Sequence, residues 1–254
     1  MDDRYFELMV DLHINQERQG PGSKEATQLA LDLSGLASMK NPKIADIGCG
    51  TGASSLQLAQ TTSAQITAVD FLPEFIKSLD AKAQVHSLGG SINTLVGSME
   101  KLTFDKGELD AIWSEGAIYN MGFKNGVTSW KPFLKPGGTL VVSEITWLTS
   151  SRPVSLEEYW KSEYPEIANA SSKLKVLEET GYSPVAYFVL PNNCWLENYY
   201  DPLEKELPHF LERHDHSKQA LEIASAEQKE RELYQEFQSY YSYGVYIAKK
   251  NEDP

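Results

Sequence analysis

Hydrophobic positions along the first 150 residues follow two alternating patterns. Short apolar runs bounded by turn residues are typical of buried strands. The strands predicted in this way cover residues 43–47, 65–70, 92–96, 109–113 and 138–146. The segments between them have helical spacing, and helices are predicted at 53–60, from Pro73 onward and at 125–134. Because strands and helices alternate, we expect a mostly parallel sheet with helices on both faces.

One helix is predicted ahead of the first strand, over residues 23–36. Ser23 is a residue type that favours the helix N-cap, and Ala26, Leu29, Leu33 and Leu36 follow it at steps of three and four. The spacing predicts an amphipathic helix whose apolar stripe carries these side chains.

The pattern changes after Trp147. We predict a helical stretch at 155–181, a strand at 184–190, helices at 195–213 and 217–241 within a long polar segment, and a last strand at 243–248. The charged run 227–232 is interpreted as a solvated helical face. If the last strand is antiparallel, the polar segment starts and finishes at the carboxyl edge of the parallel strands, where ligands bind in open α/β sheets. We therefore expect the segment to form a lid.

A glycine loop, Asp46-Ile47-Gly48-Cys49-Gly50-Thr51-Gly52, joins the first predicted strand to its helix. Glycine is needed where a tight turn and a closely approaching ligand leave no room for side chains, and the backbone amides of such a loop are expected to face that ligand. Asp70 ends the next strand, 18 residues after Gly52, close to the spacing of an acid that binds ribose hydroxyls. The two features predict a nucleotide-like ligand. The alternative is an ordinary glycine-rich turn.

Two details of the loop favour a cationic ligand. The third glycine comes one residue earlier than in the dinucleotide fingerprint G-x-G-x-x-G, and Asp46 places a negative charge beside the loop. A carboxylate repels a pyrophosphate and attracts the ammonium and sulfonium groups of S-adenosylmethionine. We therefore expect S-adenosylmethionine rather than a nicotinamide cofactor.

With these motifs the chain resembles class I S-adenosylmethionine-dependent methyltransferases of the small-molecule type, such as those of ubiquinone and menaquinone biosynthesis. The resemblance covers residues 20–150 through the loop, Asp70, the segment 97–100 and the turn 134–138. Ser98 stands where the family often has an acid that reads the adenine amino group. The resemblance implies a cofactor site made of Arg18, Asp46, Gly48, Cys49, Gly50, Gly52, Asp70, Phe71, Ser98, Met99 and Ser114.

Arg18 belongs to this set through the segment Arg18-Gln19-Gly20-Pro21-Gly22, which resembles one found in a bacterial branch of the family. There the segment approaches the methionine end of the cofactor, so Arg18 is expected to pair with the cofactor carboxylate. A surface arginine ahead of a turn is the alternative.

Methyl transfer is an in-line displacement, so the protein must align the acceptor and exclude water. Glu115, just after the fourth strand, is the candidate base, with a structural cap as the alternative. Tyr119 is the second catalytic candidate, since its ring face could steady the sulfonium. Five aromatic side chains are predicted to line an acceptor pocket, namely Trp147, Trp160, Trp195, Tyr199 and Tyr200. The alternative is that these rings only attach the lid to the sheet.

Charge and composition limit the partners. Asp and Glu number 36 against 23 Lys and Arg, giving a formal net charge of −13, which disfavours nucleic acid. The chain also lacks the Pro-Pro pair found after the fourth strand in methyltransferases that act on the amino nitrogens of nucleic-acid bases. Cys49 and Cys194 have no paired spacing, and His214-Asp215-His216 lacks further ligands, so no metal site is predicted.

The N-terminal Met1-Asp2-Asp3-Arg4 is acidic where a signal peptide is basic, and no apolar run approaches the ~18 residues of a membrane span. We expect a cytoplasmic protein without membrane contact, as a monomer or homodimer.

The predicted fold is α/β, with a Rossmann-like sheet of seven mostly parallel strands, an antiparallel last strand and a helical lid insertion. Residues 1–254 are expected to form a single domain, with a cofactor-binding core at about 20–150 and a lid part at about 151–241. The predicted function is methyl transfer from S-adenosylmethionine to a small organic acceptor. The alternatives are a nicotinamide-dependent oxidoreductase and a non-catalytic S-adenosylmethionine-binding module.

Overall fold

The computed structural model describes residues 3–252. Residues 1–2, which belong to the acidic N-terminal sequence considered above, and residues 253–254 lie outside the described part of the chain. The strands are β1 (Lys43–Ile47), β2 (Gln65–Asp70), β3 (Ile92–Val96), β4 (Leu109–Ser114), β5 (Leu134–Trp147), β6 (Ala168–Asn169), β7 (Tyr182–Val189) and β8 (Tyr241–Lys250). The helices are α1 (Asp3–His13), α2 (Lys24–Ser34), α3 (Ala53–Thr61), α4 (Pro73–Val85), α5 (Phe123–Trp130), α6 (Val154–Glu163), α7 (Ala170–Glu179), α8 (Asp201–Arg213) and α9 (Lys218–Phe237).

A single mixed sheet organises these elements. Its strand order is β3-β2-β1-β4-β5-β8-β7, with β6 paired to β5 outside this path. Strand β8 runs antiparallel to both β5 and β7, and the remaining pairs are parallel. The predicted fold class is confirmed. The eighth strand is the two-residue β6, which is too short to produce a hydrophobic pattern.

Two hydrophobic cores lie on opposite faces of this sheet. One core contains side chains of α2, α3, α4, α8 and α9, and the other contains side chains of α5 and α7. Between β1 and β4 the strand order reverses, because β1 pairs with β2 on one side and with β4 on the other. Such a reversal opens a crevice at the carboxyl ends of the two strands.

Helix α2 begins as predicted but buries only part of the predicted stripe. The Ser23 hydroxyl accepts a hydrogen bond from the Ala26 amide at 3.0 Å, the contact of an N-cap. Leu29 and Leu33, predicted on the apolar stripe, are 43% and 40% exposed, whereas Leu31 is buried. The stripe prediction is wrong at Leu29 and Leu33, because α2 packs against α3 and β8 with the face that carries Leu31, whereas Ala26 and Leu36 are buried as predicted.

The helical stretch predicted at 155–181 is two helices. Helix α6 ends before Tyr164, whose backbone is non-helical at φ −146° and ψ 87°. Pro165 follows, and a proline disfavours helical geometry in the residue before it. The chain then forms β6 before α7 begins.

The polar segment between β7 and β8 forms a π-helical turn, Leu196–Tyr200, and the helices α8 and α9. Helix α1, which the sequence pattern did not reveal, packs against both of them and buries Leu8 and Leu12 completely. The interpretation of 227–232 as a solvated face is wrong at Glu227, which is 9% exposed, because α9 turns this side chain inward. Among residues 3–252, no helix has the length and apolar character needed to cross a membrane.

Candidate functional site

The glycine loop follows β1 and leads into α3. Gly48 and Gly50 have φ of +73° and +55°, a left-handed region that favours glycine. A Cβ on Gly48 would overlap the Ala117 side chain, and one on Gly50 would overlap the Gln19 carboxamide. Glycine is therefore required both by the backbone turn and by the close approach of neighbouring segments.

The loop amides are directed at protein acceptors. Gly48 and Cys49 donate to the Val69 carbonyl at 2.8 and 3.1 Å. The Gly50 amide donates to Asp70 Oδ2 at 2.8 Å, and the Thr51 amide donates to Gln19 Oε1 at 2.9 Å. The expectation that these amides face a ligand is wrong for these four groups. A loop whose amides are already bonded cannot cradle a pyrophosphate, which needs free N–H donors.

Carboxyl groups surround the loop. Asp46 is 1% exposed and accepts a hydrogen bond from Ser55 Oγ at 2.5 Å. Burial raises the pKa of Asp46 to about 7, and the negative charges of Glu115 and Asp70 add to the effect. Burial also raises the pKa of Asp70, opposed by hydrogen bonds from the Leu72 and Gly50 amides. The site thus favours a positively charged ligand.

Glu115, the candidate base, is held by three donors. Arg18 Nη1 donates to Oε2 at 2.8 Å, and Trp113 Nε1 donates to Oε1 at 2.9 Å. The Thr27 hydroxyl lies 2.8 Å from Oε1 and 3.1 Å from Oε2, and it accepts from Arg18 Nη2 at 3.0 Å. Arg18 also lies against Gly22, where a Cβ would be 2.9 Å from Nη1. Arg18 and Glu115 are therefore engaged with each other.

A cavity of about 1020 Å³ extends from the glycine loop to the lid. This volume lies at the upper end of the usual range for ligand pockets, which leaves room for a cofactor and a small acceptor together. Most of the predicted site residues line it, namely Arg18, Asp46, Gly48, Cys49, Gly50, Asp70, Phe71, Ser98, Met99, Glu115, Tyr119, Trp160, Trp195 and Tyr199.

The outer end of the cavity lies beyond the tips of β2 and β3. Phe71 is 65% exposed and meets Phe6 of α1 edge to face, with ring centroids 6.4 Å apart. Ser98 and Met99 lie in the turn after β3, where the Met99 carbonyl accepts a hydrogen bond from Trp130 Nε1 at 3.0 Å. Apolar faces and a shaped backbone turn suit a planar heterocycle.

Four predicted residues lie outside the cavity wall. Gly52 has a φ of +92°, and a Cβ there would overlap Leu79 of α4, so this glycine serves helix packing. Ser114 is fully buried and donates to the Ile47 carbonyl at 2.8 Å. Trp147 packs against Tyr241 and beneath the Arg152 guanidinium, 4.2 Å from the ring centroid. Tyr200 is buried behind the wall and donates to Glu230 Oε1 at 3.0 Å.

Several wall residues were not predicted. Gln19 binds the glycine loop through both ends of its carboxamide, since Nε2 donates to Thr51 Oγ1 at 3.1 Å while Oε1 accepts from the Thr51 amide. Gln19 directly follows Arg18 in the sequence, and this position was the signal that could have identified it as a site residue. Other unpredicted wall residues come from α1, α9 and β8, and they include His13, Glu227, Glu230 and Tyr243.

Tyr119 lies in a short turn after β4 and is 43% exposed to the cavity. Its position deep in the molecule nevertheless raises the pKa of the phenol, which is therefore neutral at pH 7. Both cysteines are free and buried, and burial raises the pKa of each thiol. Within residues 3–252, no three His, Cys, Asp or Glu side chains are grouped to hold a metal ion.

Comparison with known proteins agrees with this geometry. A family model described as a methyltransferase domain matches residues 44–138. The O-methyltransferase rstn1 of Aspergillus nomiae is 21% identical over 201 residues, which cover 74% of this chain and 89% of that protein. A demethylmenaquinone methyltransferase of Chlorobaculum tepidum is 28% identical over 156 residues, which cover 61% of this chain and 58% of that protein.

The fold is shared with solved structures. An S-adenosylmethionine-dependent methyltransferase of Geobacter sulfurreducens, in complex with S-adenosylhomocysteine, matches with a TM-score of 0.80 at 16% identity. The match covers 96% of this chain and 97% of that one. With the matched domain, the relatives and the acidic glycine-loop site, the predicted family and cofactor are confirmed: the chain is a class I S-adenosylmethionine-dependent methyltransferase.

Proposed function

We propose that the cavity carries out methyl transfer from S-adenosylmethionine to a small organic acceptor by in-line displacement. The observation that supports this most is that a single cavity connects the glycine loop to the aromatic lid. A donor at the loop and an acceptor under the lid would then share one space from which the lid excludes water. The acceptor named for the Chlorobaculum relative, demethylmenaquinone, is also a small organic molecule.

The residues of the loop fit the cofactor by charge. S-adenosylmethionine supplies the activated methyl group and a neutral thioether leaving group. Asp70 would hold the ribose hydroxyls, and Phe71, Ser98 and Met99 would border the adenine. Asp46 and Glu115 would offset the positive charges of the methionine end, and Arg18 would meet its carboxylate.

Within this proposal Glu115 binds and positions the cofactor. A carboxylate oxygen accepts about two hydrogen bonds, and Oε1 already receives Thr27 and Trp113. The charged Arg18 donor occupies Oε2. Proton removal from the acceptor, where it is needed, belongs to a residue of the lid, and the neutral Tyr119 would flank the methyl group with its ring face.

We propose a single domain in which residues 20–150 form the cofactor core and residues 151–241 form the lid part. Packing of α1 across α8 and α9 supports this, since the N-terminal helix and these two helices then form one continuous cover over the cavity. Asn198 adds a link by donating to the Gly22 carbonyl at 3.0 Å.

The test is to incubate the protein with methyl-labelled S-adenosylmethionine and a cell extract, then to separate small molecules, proteins and nucleic acids. We expect label in the small-molecule fraction, and we expect Asp70→Ala to abolish it. Label in protein or nucleic acid would refute the small acceptor. Cofactor binding without label in any fraction would favour the non-catalytic binding module, and a response to reduced nicotinamide in place of S-adenosylmethionine would favour the oxidoreductase.

A further inference from the structure

The lid end of the cavity combines carboxyl groups with aromatic rings. Glu227 and Glu230 lie three residues apart on α9, so they share one face of the helix, and both line the cavity. Glu163, at the end of α6, lines it as well. The rings beside them are those of Trp160, Trp195, Tyr199 and Tyr243.

Glu227 has an unpartnered oxygen. The side chain is 10% exposed, and Oε2 is buried without a hydrogen-bond partner. Oε1 lies 3.9 Å from His13 Nε2. His13 Nδ1 lies 2.9 Å from the Met9 carbonyl and donates to it, and burial lowers the pKa of His13, so its Nε2 carries no proton at neutral pH. His13 therefore gives Glu227 neither a proton nor a positive charge.

The cavity as a whole lacks compensating cations. Among the described residues that line it, seven are Asp or Glu, one is Arg and none is Lys. The arginine is Arg18, which is paired with Glu115. Tyr200 donates one hydrogen bond to Glu230, and no basic side chain contacts Glu230 in the described part of the chain. Burial raises the pKa of Glu227 to about 7 and raises that of Glu230, as expected for carboxyl groups without a counter-charge.

The aromatic rings complete a site for a cation. Trp195 stacks between Tyr234 and Tyr243, with ring centroids 4.3 and 5.1 Å away, and its Nε1 donates to Ser242 Oγ at 2.9 Å. This stack fixes the Tyr243 ring in the cavity wall. Tyr199 lies parallel to His13 with centroids 6.4 Å apart. Rigid ring faces beside carboxylates attract a desolvated ammonium group, and the same surroundings repel carboxylates and phosphates.

We propose that the acceptor is a primary or secondary alkylamine with an apolar body, bound as its ammonium ion by Glu227 and Glu230, and that the product is its N-methyl derivative. This rests on the proposed function, whose substrate class it names. The overall negative charge of the chain draws such a cation toward the cavity.

The reaction balances with Glu227 as the proton acceptor. The ammonium N–H bond breaks and its proton passes to the ionised Glu227 carboxylate, which leaves a lone pair on nitrogen. A bond forms between nitrogen and the methyl carbon while the C–S bond breaks, and that electron pair stays on sulfur. The positive charge thereby moves from sulfur to the methylated nitrogen. A carboxyl group with a raised pKa can take up and release this proton near neutral pH.

The test separates the small molecules of a cell extract into cationic, neutral and anionic pools by ion exchange and offers each pool with methyl-labelled S-adenosylmethionine. We expect label only from the cationic pool, in products that a cation exchanger retains. Label from the neutral or anionic pool alone would overturn the amine proposal while leaving methyl transfer to a small acceptor intact. Absence of label from every pool would overturn the proposed function and this inference with it.

Substitutions on α9 test whether Glu227 accepts the proton and whether Glu230 binds the ammonium ion. Glu227→Gln should lower kcat/KM with the labelled amine by about 100-fold, the range of general-base removal, and should flatten the rise of kcat with pH. Its affinity for S-adenosylmethionine should stay within about twofold, which also reports folding. Glu230→Gln should chiefly raise KM. The matched control is Glu232→Gln, on the same helix but exposed and away from the cavity. Equal kcat/KM in Glu227→Gln, Glu230→Gln and the control would contradict the proposal.

Discussion

Arg18 and Glu115 form a part-buried ion pair, with Nη1 and Oε2 2.8 Å apart and side-chain exposures of 9% and 17%. The pair joins the segment that follows α1 to the turn that follows β4. It therefore couples the N-terminal cover of the cavity to the sheet edge at which the cofactor site lies.

Removing one partner of the Arg18–Glu115 pair should destabilise the folded protein. Arg18→Ala leaves the largely enclosed Glu115 carboxylate without its cation, and we expect the free energy of unfolding to fall by about 2–3 kcal/mol, toward the lower end of the range for broken buried pairs. Urea titration measures the loss. Lys24→Ala is the control, because the Lys24–Glu17 pair is 72% and 66% exposed and should contribute less than about 1 kcal/mol. Equal losses in the two variants would show that burial of the Arg18 pair has no energetic consequence.

The raised pKa of Asp46 should make the free energy of unfolding fall as pH rises. Its folded-state pKa of about 7 lies above the unfolded value of about 3.9, so the folded state holds the extra proton between these limits. Its stabilising contribution is complete below the unfolded pKa and is lost as pH rises through 7.

In Asp46→Asn this dependence is absent. The stability of the variant relative to wild type should therefore rise from pH 5 to pH 7, by up to about 1.4 kcal/mol per pH unit. Urea titrations at several pH values measure it, with Asp105→Asn at an exposed position as the matched carboxyl-to-amide control. A constant difference between Asp46→Asn and wild type would contradict the raised pKa.

Gly52 is expected to tolerate no side chain. Gly52→Ala combines a φ of +92° with overlap on Leu79, and we expect a loss of about 2–4 kcal/mol. Leu79→Ala alone should cost about 3 kcal/mol, because this side chain is completely buried. The double variant should lose less than the sum, since the smaller side chain removes the overlap. If the losses of unfolding free energy in the two single variants are strictly additive in the double variant, the cost of Gly52→Ala comes from the backbone alone and the overlap with Leu79 contributes nothing.

Strands β1, β2 and β3 could be predicted from the sequence to the residue, whereas β5 begins at Leu134 rather than at 138 and β8 spans Tyr241–Lys250 rather than 243–248. Strand β2 and strand β3 begin and end where the apolar runs do, because glycine, proline and polar turns bound them. The pattern did not specify which face a helix buries. Leu29 is exposed and Leu31 is buried because of where α3 and β8 lie, which is tertiary information.

Only part of the candidate site could be predicted, because the rest of it also depends on tertiary packing. The glycine loop and Asp70 are local features whose chemistry follows from the order of residues. Glu227 resembles any charged helical residue until α1 and α9 enclose it. Trp147 and Tyr200 illustrate a related limit, since an aromatic residue type indicates burial but not the side of a cavity wall on which the ring lies.

Asp70 offers the most direct test of the cofactor site, because its carboxylate both braces the Gly50 amide and faces the cavity. Calorimetric titration of wild type with S-adenosylmethionine should show one-to-one binding. Asp70→Ala should weaken it by about 100-fold or more, the equivalent of one or two hydrogen bonds to a charged group. Asp80→Asn is the control, an exposed acid that accepts a hydrogen bond from Thr94 away from the cavity. Retained affinity in Asp70→Ala with normal folding would contradict the placement of the cofactor.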